Sequence, residues 1–366
     1  MSNMIEYKEI MAFHPGYYVA EIIEDMEISQ NEFAARLGTT GKTISKLVNG
    51  QANISNDLAK KLSVMLGTSA EMWLNLQNTY DQKVIEIECQ KDFDEQKAIA
   101  RLIDYSYFIE LAGIPKTKNI SEKVQNLCKY FRIADLRILK EPDFLVNFRT
   151  GISNVEEKNI INSRAWIQAA MNLAREIETK PFDRKKLVSY LPELRSMTLQ
   201  RPEVFYPRMK EIFSECGVAF ILLPHLKNSG VNGAVKWVNS DRVIMVMNNR
   251  GLYADKFWFS LFHEIKHVLQ QKVKTTFISG DSKEMQNFND ALEKEADDFA
   301  TNYLIPQDAF IKFSPNKFTS DEEICMFAKS IGIHPGIVAG RLQHEKIIGQ
   351  NRCSKLKEQY VIKISA

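Results

Sequence analysis

The residues of this chain best suited to chemistry are two histidines four positions apart with a carboxylate beside the first: His263, Glu264 and His267. In an α-helix, side chains four residues apart lie nearly above one another, so both imidazoles can reach one metal ion. Apolar residues recur at spacings of three and four from 258 to 270, which predicts a helix with a broad buried face. The histidines therefore lie where a buried helix borders a cleft.

The pattern His-Glu-x-x-His is typical of hydrolytic zinc sites. Zinc in such sites takes three protein ligands and leaves a fourth position for water, whose pKa falls toward about 7 on the metal. Glu264 is placed to take the proton of that water as general base. The alternative is a chance match on an amphipathic helix, because the pattern fixes only three positions.

A second predicted helix supplies the carboxylate that two imidazoles lack. Residues 287–306 carry apolar side chains at helical spacing and end at Pro306. Glu293 and Asp297 lie four apart on one strip of this helix. We predict Glu293 as the third ligand and Asp297 as a partner that orients a ligand histidine. Glu295 points to another side of the helix and is the weaker candidate.

The segments FHEIKHVL and EKEADDFATNYLIP, preceded by β-like runs, resemble the ImmA/IrrE metallopeptidases over roughly residues 217–306. That family follows His-Glu-x-x-His with a helix reading Glu-x-x-Ala, an aromatic–Ala pair and a Leu or Met before proline, where this chain has Ile305. The resemblance implies a gluzincin-like zinc site of His263, His267 and Glu293 with Glu264 catalytic. It also implies a protein substrate, which in that family is often a helix-turn-helix repressor.

The N-terminal 80 residues carry the pattern of a helix-turn-helix. Ser29 and Glu32 predict a capping box at the start of one helix, and Gly38 ends it. The next helix, residues 41–48, turns its apolar side chains inward. A second helix after so tight a turn would lie in the major groove and present five polar side chains to DNA. These candidate DNA-binding residues are Thr40, Lys42, Thr43, Ser45 and Lys46.

The charge of this module favours a different interpretation, a helical bundle that binds protein. Residues 1–80 contain six Lys or Arg against nine Asp or Glu, a net charge of −3. DNA binding rests largely on neutralising phosphates, so an acidic module is unusual for it. The positions of the charged residues partly answer this objection. Lys42 and Lys46 lie on the helix that would enter the major groove, whereas most of the acidic residues fall between Glu6 and Glu32.

Residues 14–50 and their continuation to residue 81 resemble the HigA-type antitoxins, which belong to the XRE group of helix-turn-helix proteins. The resemblance implies a homodimer on a palindromic operator and, as a second partner, a toxin that the protein neutralises. It also implies a bacterial or phage setting, which composition alone does not indicate.

Composition predicts a multidomain protein that lies in the cytoplasm. The chain has 366 residues, more than one core usually supports, and a net charge of +2 that favours no class of partner. Its five cysteines form no Cys-x-x-Cys pair, which indicates reduced thiols. No leader segment and no membrane span is expected. His14, His225, His334 and His344 are excluded from the ligand set, because lone histidines usually lie on the surface or in packing.

We therefore expect an α+β protein, mainly α with a small β-sheet. Its predicted parts are an all-α helix-turn-helix domain (1–80), a helical connector (81–195), a gluzincin-like zinc peptidase domain (196–315) and a helical extension (316–366). β-branched runs between residues 217 and 248 predict the sheet.

Two functions fit this sequence. The first is a DNA-binding regulator or antitoxin with a zinc endopeptidase that cleaves a repressor, an antitoxin or a toxin partner. The second is an antitoxin or repressor whose metal site is structural or senses a ligand. The complete His-Glu-x-x-His pattern favours the first, because a purely structural site has no need of Glu264.

Overall fold

The chain forms two compact units, Met1–Ala98 and Ile99–Ala366. The computed structural model describes residues 3–141, 156–248, 253–270, 282–313 and 319–362, and only the backbone for residues 282–290. The division between the units falls inside a 33-residue helix, Ala70–Leu102, which also contains the predicted bound at residue 80. The four-part division of the chain stays a prediction.

The first unit is built from short helices around one apolar core. Its helices are α1 (Gly16–Asp25), α2 (Gln30–Arg36), α3 (Gly41–Val48), α4 (Asn56–Leu66) and α5 (Ala70–Leu102). Phe33, Ile44, Leu47 and Leu62 are fully buried in this core, and Trp73 on α5 is 1% exposed. The α3 face that the sequence assigned to the interior is therefore the face that packs.

Capping fixes the turn between α2 and α3. The Ser29 hydroxyl accepts from the Glu32 amide over 3.2 Å, but the Glu32 carboxylate binds Arg36, so only half of the predicted capping box forms. Gly38 adopts φ +66°, which glycine accommodates without steric cost. Thr40 then caps α3 by accepting from the Thr43 amide over 3.2 Å. The short turn holds α3 against α2.

A two-stranded hairpin precedes the helices, a feature that the sequence analysis did not anticipate. Strands β1 (Met4–Tyr7) and β2 (Ile10–Phe13) pair antiparallel. The Tyr7 hydroxyl donates to Asp94 on α5 over 2.9 Å, and the Asn3 side-chain amide donates to the Val48 carbonyl at the end of α3 over 2.5 Å. The hairpin thus braces the C-terminal end of α3.

The second unit contains helices and one mixed sheet, which confirms the α+β class. Its helices are α6 (Tyr105–Ala112), α7 (Ile120–Phe131), α8 (Glu157–Ala174), α9 (Arg184–Ser196), α10 (Pro202–Glu215), α11 (Ala254–Leu269), α12 (Ser282–Leu304), α13 (Gln307–Phe313), α14 (Asp321–Ile331) and α15 (Pro335–His344). Short 3₁₀ helices cover Leu136–Lys140, Met197–Leu199 and Ser354–Leu356. Ser320 and Glu323 form a complete capping box at the start of α14.

Three strands form the sheet predicted from the β-branched runs. They are β3 (Val218–Leu223), β4 (Gly233–Asn239) and β5 (Arg242–Asn248), in the order β3-β5-β4. Strand β5 pairs parallel with β3 and antiparallel with β4. All six residues of β3 are buried, as expected for a strand covered on both faces. Strand β4 is therefore an edge strand, and it packs against α11.

Helices α11 and α12 pack closely in the second unit. Side chains of α11 and of Gln270, just beyond it, contact α12 in reverse order: His263 reaches Asp297, and Gln270 reaches Leu292. The two helices are thus antiparallel. Ala296 and Ala300 are fully buried, so small side chains allow the close approach.

In the described ranges, no helix combines the length and the apolar character needed to cross a membrane. All five cysteines are free thiols.

Candidate metal centre

Three donor groups meet between α11 and α12. The Nε2 atoms of His263 and His267 lie 2.9 Å apart. The Glu293 carboxylate places Oε2 3.3 Å from His263 Nε2 and Oε1 3.4 Å from His267 Nε2. Within the described part of the chain, these residues form a group of potential metal ligands whose donor atoms all lie within 4.8 Å of one another. The structure thus brings together the three residues predicted as ligands.

The outer nitrogen of each histidine has an oxygen partner. His263 Nδ1 lies 2.8 Å from Asp297 Oδ1, the position predicted for an orienting carboxylate. His267 Nδ1 lies 2.9 Å from Gln270 Oε1. The Gln270 amide nitrogen donates to the Leu292 carbonyl and to Glu295 Oε2, both over 2.9 Å, which fixes the amide oxygen toward the histidine. These partners fix Nδ1 as a hydrogen-bearing nitrogen in both rings and turn both Nε2 atoms inward, where their lone pairs would bind a metal.

The donor set fits a zinc ion. Two lone pairs and a carboxylate facing one point repel each other unless a cation lies between them. Two imidazole nitrogens and one carboxylate oxygen are a known ligand set of hydrolytic zinc. With zinc–ligand distances of about 2.0–2.1 Å, tetrahedral geometry puts donor atoms about 3.3 Å apart. The observed separations of 2.9, 3.3 and 3.4 Å are close to that value.

The pKa values of His263 and Glu293 without a metal also indicate that the cluster needs a positive charge. Burial lowers the pKa of His263, but hydrogen bonds to Asp297 and Glu293 outweigh burial and raise it to about 10. Burial raises the pKa of Glu293, yet its bonds to His263 and His267 hold it well below its usual range. A proton bound at His263 supplies the positive charge when no metal does.

Glu264 lies in a different environment from the three ligand candidates. Its side chain points to the sheet and is 6% exposed, and burial raises the pKa of its carboxyl to about 7. Gly233 on β4 leaves room for it, because a Cβ there would lie 2.3 Å from Glu264 Oε1. A carboxylate with a pKa near neutrality is suited to accept and return a proton at neutral pH.

Sequence reasoning missed Gln270 and Gly233. Gln270 follows His267 by three residues, so a polar side chain one helical turn after a ligand was the available signal. Glu295 accepts from Gln270 and pairs with Lys266 over 2.8 Å. It braces the ligand histidine from outside the ligand group.

The histidines left out of the ligand set lie elsewhere. His334 caps α15, where its Nδ1 accepts from the Gly336 amide over 3.1 Å. His14 is buried in the first unit and accepts from the Gly16 amide over 3.0 Å. His344 is exposed at the end of α15. His225 is absent from the described group of potential metal ligands.

The predicted DNA-binding residues lie on one side of α3. Lys42 and Lys46 are exposed and make no ion pair within the described ranges. Thr43 and Ser45 are half-buried. The exposed Thr40 caps the helix, and its hydroxyl lies 2.9 Å from that of Thr43. The two lysines are thus the members of the set best placed to meet phosphate.

Comparison with known proteins identifies both modules separately. Residues 19–73 match the helix-turn-helix family, and residues 226–343 match the IrrE N-terminal-like domain of the M78 peptidases. An uncharacterized helix-turn-helix transcriptional regulator of Escherichia coli is 40% identical over 72 residues, 19% of this chain and 77% of the relative. Antitoxin HigA-1 of Vibrio cholerae is 36% identical over 61 residues, 17% of this chain and 57% of the antitoxin.

Solved structures show the same similarity over a limited part of the chain. A HigA-family antidote protein from Coxiella burnetii is 32% identical and covers 23% of this chain and 91% of its own, with a TM-score of 0.22. A Pseudomonas aeruginosa protein solved in complex with its operator DNA is 32% identical and covers 20% of this chain and 81% of its own, with a TM-score of 0.20.

Proposed function

Because the chain belongs to the helix-turn-helix regulators related to HigA antitoxins and also carries an IrrE-like peptidase-family domain, we propose that it joins operator binding to proteolysis. The second unit is a zinc-dependent endopeptidase with His263, His267 and Glu293 as ligands and Glu264 as catalytic base. Its substrate is a regulatory protein: a helix-turn-helix repressor, an antitoxin or a toxin partner. The free thiols fit a cytoplasmic setting.

The proposal rests on the arrangement of two kinds of residue: three that could hold a metal ion, and one carboxylate beside them that could act as a base. Three donor groups converge, and Asp297 and Gln270 hold the outer nitrogens of the two histidines. Glu264 lies outside this group, against Gly233 of the sheet. A purely structural zinc site is usually closed by four protein ligands. Three ligands beside a carboxylate of raised pKa favour hydrolysis.

The chain's own residues perform the proton transfers of peptide hydrolysis. When bound, zinc would supply a Lewis acid that polarises the scissile carbonyl and acidifies water. The Glu264 carboxylate takes one proton from the attacking water and then delivers it to the departing amine nitrogen. Its pKa of about 7 permits both transfers near neutral pH. Asp297 and Gln270 hold the two imidazoles in orientation throughout.

We propose that the substrate backbone binds along the edge strand β4. It lies at one end of the sheet order β3-β5-β4 and begins at Gly233, against which Glu264 packs. A peptide added as a further strand would pass directly beside the catalytic carboxylate. Backbone pairing imposes little sequence preference, which suits a protein substrate presented as an extended segment.

The first unit is the proposed operator-binding part. Lys42 and Lys46 contact phosphates, and Thr40, Thr43 and Ser45 lie near base edges as α3 enters the major groove. We propose a homodimer on a palindromic operator, since two-fold symmetry in a regulator is mirrored in its site. Because the module as a whole has a net negative charge, we propose that these two lysines supply its principal contacts with phosphate.

The test of the proposed function is Glu264→Gln, which keeps the shape of the side chain and removes its basicity. Wild type and variant are incubated with purified helix-turn-helix proteins and with the product of the adjacent reading frame, and cleavage is followed by mass spectrometry. We expect cleavage to collapse while zinc content and DNA binding persist. Equal behaviour of both proteins would leave the metal site as a sensor or scaffold and end the hydrolytic interpretation.

A further inference from the structure

A cavity of about 280 Å³ lies in the second unit, one helical turn from His263 along α11. Its walls come from the first turns of α11, the end of α12 and the buried helix α15. A protein cavity of about 150 Å³ already accommodates benzene. The present cavity is therefore large enough for one aromatic or long aliphatic side chain, and too small for most drug-sized ligands, whose pockets start at about 300 Å³.

The cavity continues the two helix faces that hold the ligand candidates. Phe259 lines the cavity one helical turn before His263, and the two ring centroids are 6.3 Å apart. On the facing helix, Thr301 lines the cavity one turn after Asp297. One turn rises about 5.4 Å, and successive residues of an extended peptide are about 3.3 Å apart. A side chain one or two positions from the scissile bond can thus enter the cavity.

The lining favours an uncharged apolar occupant. Leu304, Ile305 and Ile337 are buried and form apolar wall. Four charged groups of the lining bind one another: Lys357 Nζ lies 2.6 Å from Asp255 Oδ2, and Arg341 Nε lies 2.7 Å from Glu345 Oε1. The other two basic residues of the lining, Lys256 and His344, are exposed to solvent. A charged side chain that reached the apolar wall would lose its hydration, and the paired groups there would offer it no counter-ion.

We propose that this cavity is a specificity subsite, which receives a large uncharged apolar side chain of the protein substrate next to the bond that is cut. This assignment rests on the proposed peptidase function. It defines the substrate class more narrowly: the cleaved segment carries Leu, Met, Phe or a similar residue within two positions of the scissile bond. Backbone pairing with β4 and the cavity would together select the cleavage site.

The test fills the cavity from one position. Thr301→Trp places a large side chain into it, and Thr301→Leu is the smaller filling variant in case the first does not fold. Asn302→Trp is the matched control, because Asn302 is the adjacent exposed residue on α12 and does not line the cavity. Zinc content and thermal unfolding of each variant establish that it is intact.

Two readouts are taken with each protein. In the first, a library of peptides from a digested bacterial proteome is incubated with the enzyme, and residues flanking each cut are counted by mass spectrometry. In the second, binding of N-acetyl-phenylalanine amide is followed by line broadening in ligand-observed NMR. Filling an apolar pocket with one additional side chain is expected to change the preference between substrate residues by roughly tenfold or more.

We expect wild type and Asn302→Trp to prefer a large apolar residue at one flanking position, and both Thr301 variants to lose that preference and the binding of the amide. Unchanged cleavage preference and unchanged amide binding in the Thr301 variants would overturn the subsite while leaving the peptidase proposal standing. If no cleavage depends on Glu264 but the amide binds in a Thr301-dependent way, the peptidase proposal fails and the apolar preference of the cavity stands.

Discussion

His267 donates its Nδ1 hydrogen to the side-chain oxygen of Gln270 over 2.9 Å, and Gln270 is in turn held by the backbone of α12. The orientation of one ligand ring on α11 is therefore set by the helix that carries Glu293. The distance between the two helices and the direction of the Nε2 lone pair are coupled through this one amide.

Replacing Gln270 is expected to weaken metal binding without removing a ligand. Gln270→Ala frees the His267 ring, and loss of such outer partners typically costs about 10–100-fold in metal affinity. Gln270→Glu retains an oxygen acceptor for Nδ1 but loses the amide hydrogens that bind the Leu292 carbonyl and Glu295, so it should restore only part of the affinity. Competition with a chromophoric chelator measures both variants. Wild-type affinity in Gln270→Ala would show that the ring is held by other contacts.

Gly233→Ala is expected to damage catalysis while zinc is retained. The added Cβ would lie 2.3 Å from Glu264 Oε1, so the carboxylate must move away from its position beside β4. We expect the rate of cleavage to fall by about tenfold or more, because small displacements of reacting groups are costly. Gly349→Ala is the matched control, since a Cβ there meets nothing within 4 Å. Equal rates in both variants would contradict the placement of Glu264.

The sequence reveals those parts of the site that follow from local periodicity. Residues four apart lie on one face of an α-helix, so the spacing alone places His263 beside His267 and Glu293 beside Asp297. Gln270 escaped notice because its role depends on the Leu292 carbonyl, which a neighbouring helix supplies. Periodicity within one helix does not indicate which backbone group of another helix faces it.

The hairpin β1–β2 and the cavity were missed for a related reason. Tyr7 is anchored by Asp94, 87 residues later, and short strands with exposed side chains give a weak pattern of their own. The cavity is closed by α15, whose burial against α11 is a tertiary contact. By contrast, the cap at Ser29 involves the Glu32 amide, three residues away, and is local enough for the sequence to predict it.

Removing two lysines from α3 is expected to weaken operator binding and its dependence on salt. Lys42→Ala combined with Lys46→Ala should lower the slope of log K against log salt by about 2, since each phosphate contact contributes about 0.9. Lys116→Ala with Lys118→Ala removes the same charge from exposed positions of the second unit and serves as control. Fluorescence anisotropy with DNA upstream of the coding region measures both.

The outcome also decides between the two interpretations of the acidic module. If wild type does not bind that DNA even at low salt, the first unit binds protein and its net charge was the better guide.

Zinc binding is expected to release protons and to strengthen as pH rises. The pKa of His263 in the metal-free cluster is about 10, so this ring is protonated at neutral pH and zinc must displace the proton. We expect about one proton to be released per zinc near pH 7, with affinity rising up to the pKa of His263. Calorimetry in two buffers of different ionisation enthalpy measures the number. No proton release would mean that zinc binds elsewhere.

The most direct test of the metal centre is zinc X-ray absorption on the purified wild type, with Glu293→Ala recorded alongside. We predict about one zinc per chain, coordinated by two imidazole nitrogens at about 2.0–2.1 Å and by light oxygen donors, and loss of most of the zinc in Glu293→Ala. Glu295→Ala should keep it, because Glu295 binds Gln270 and Lys266 outside the ligand group. Sulfur ligands in the spectrum, or unchanged zinc in Glu293→Ala, would contradict the assignment of His263, His267 and Glu293.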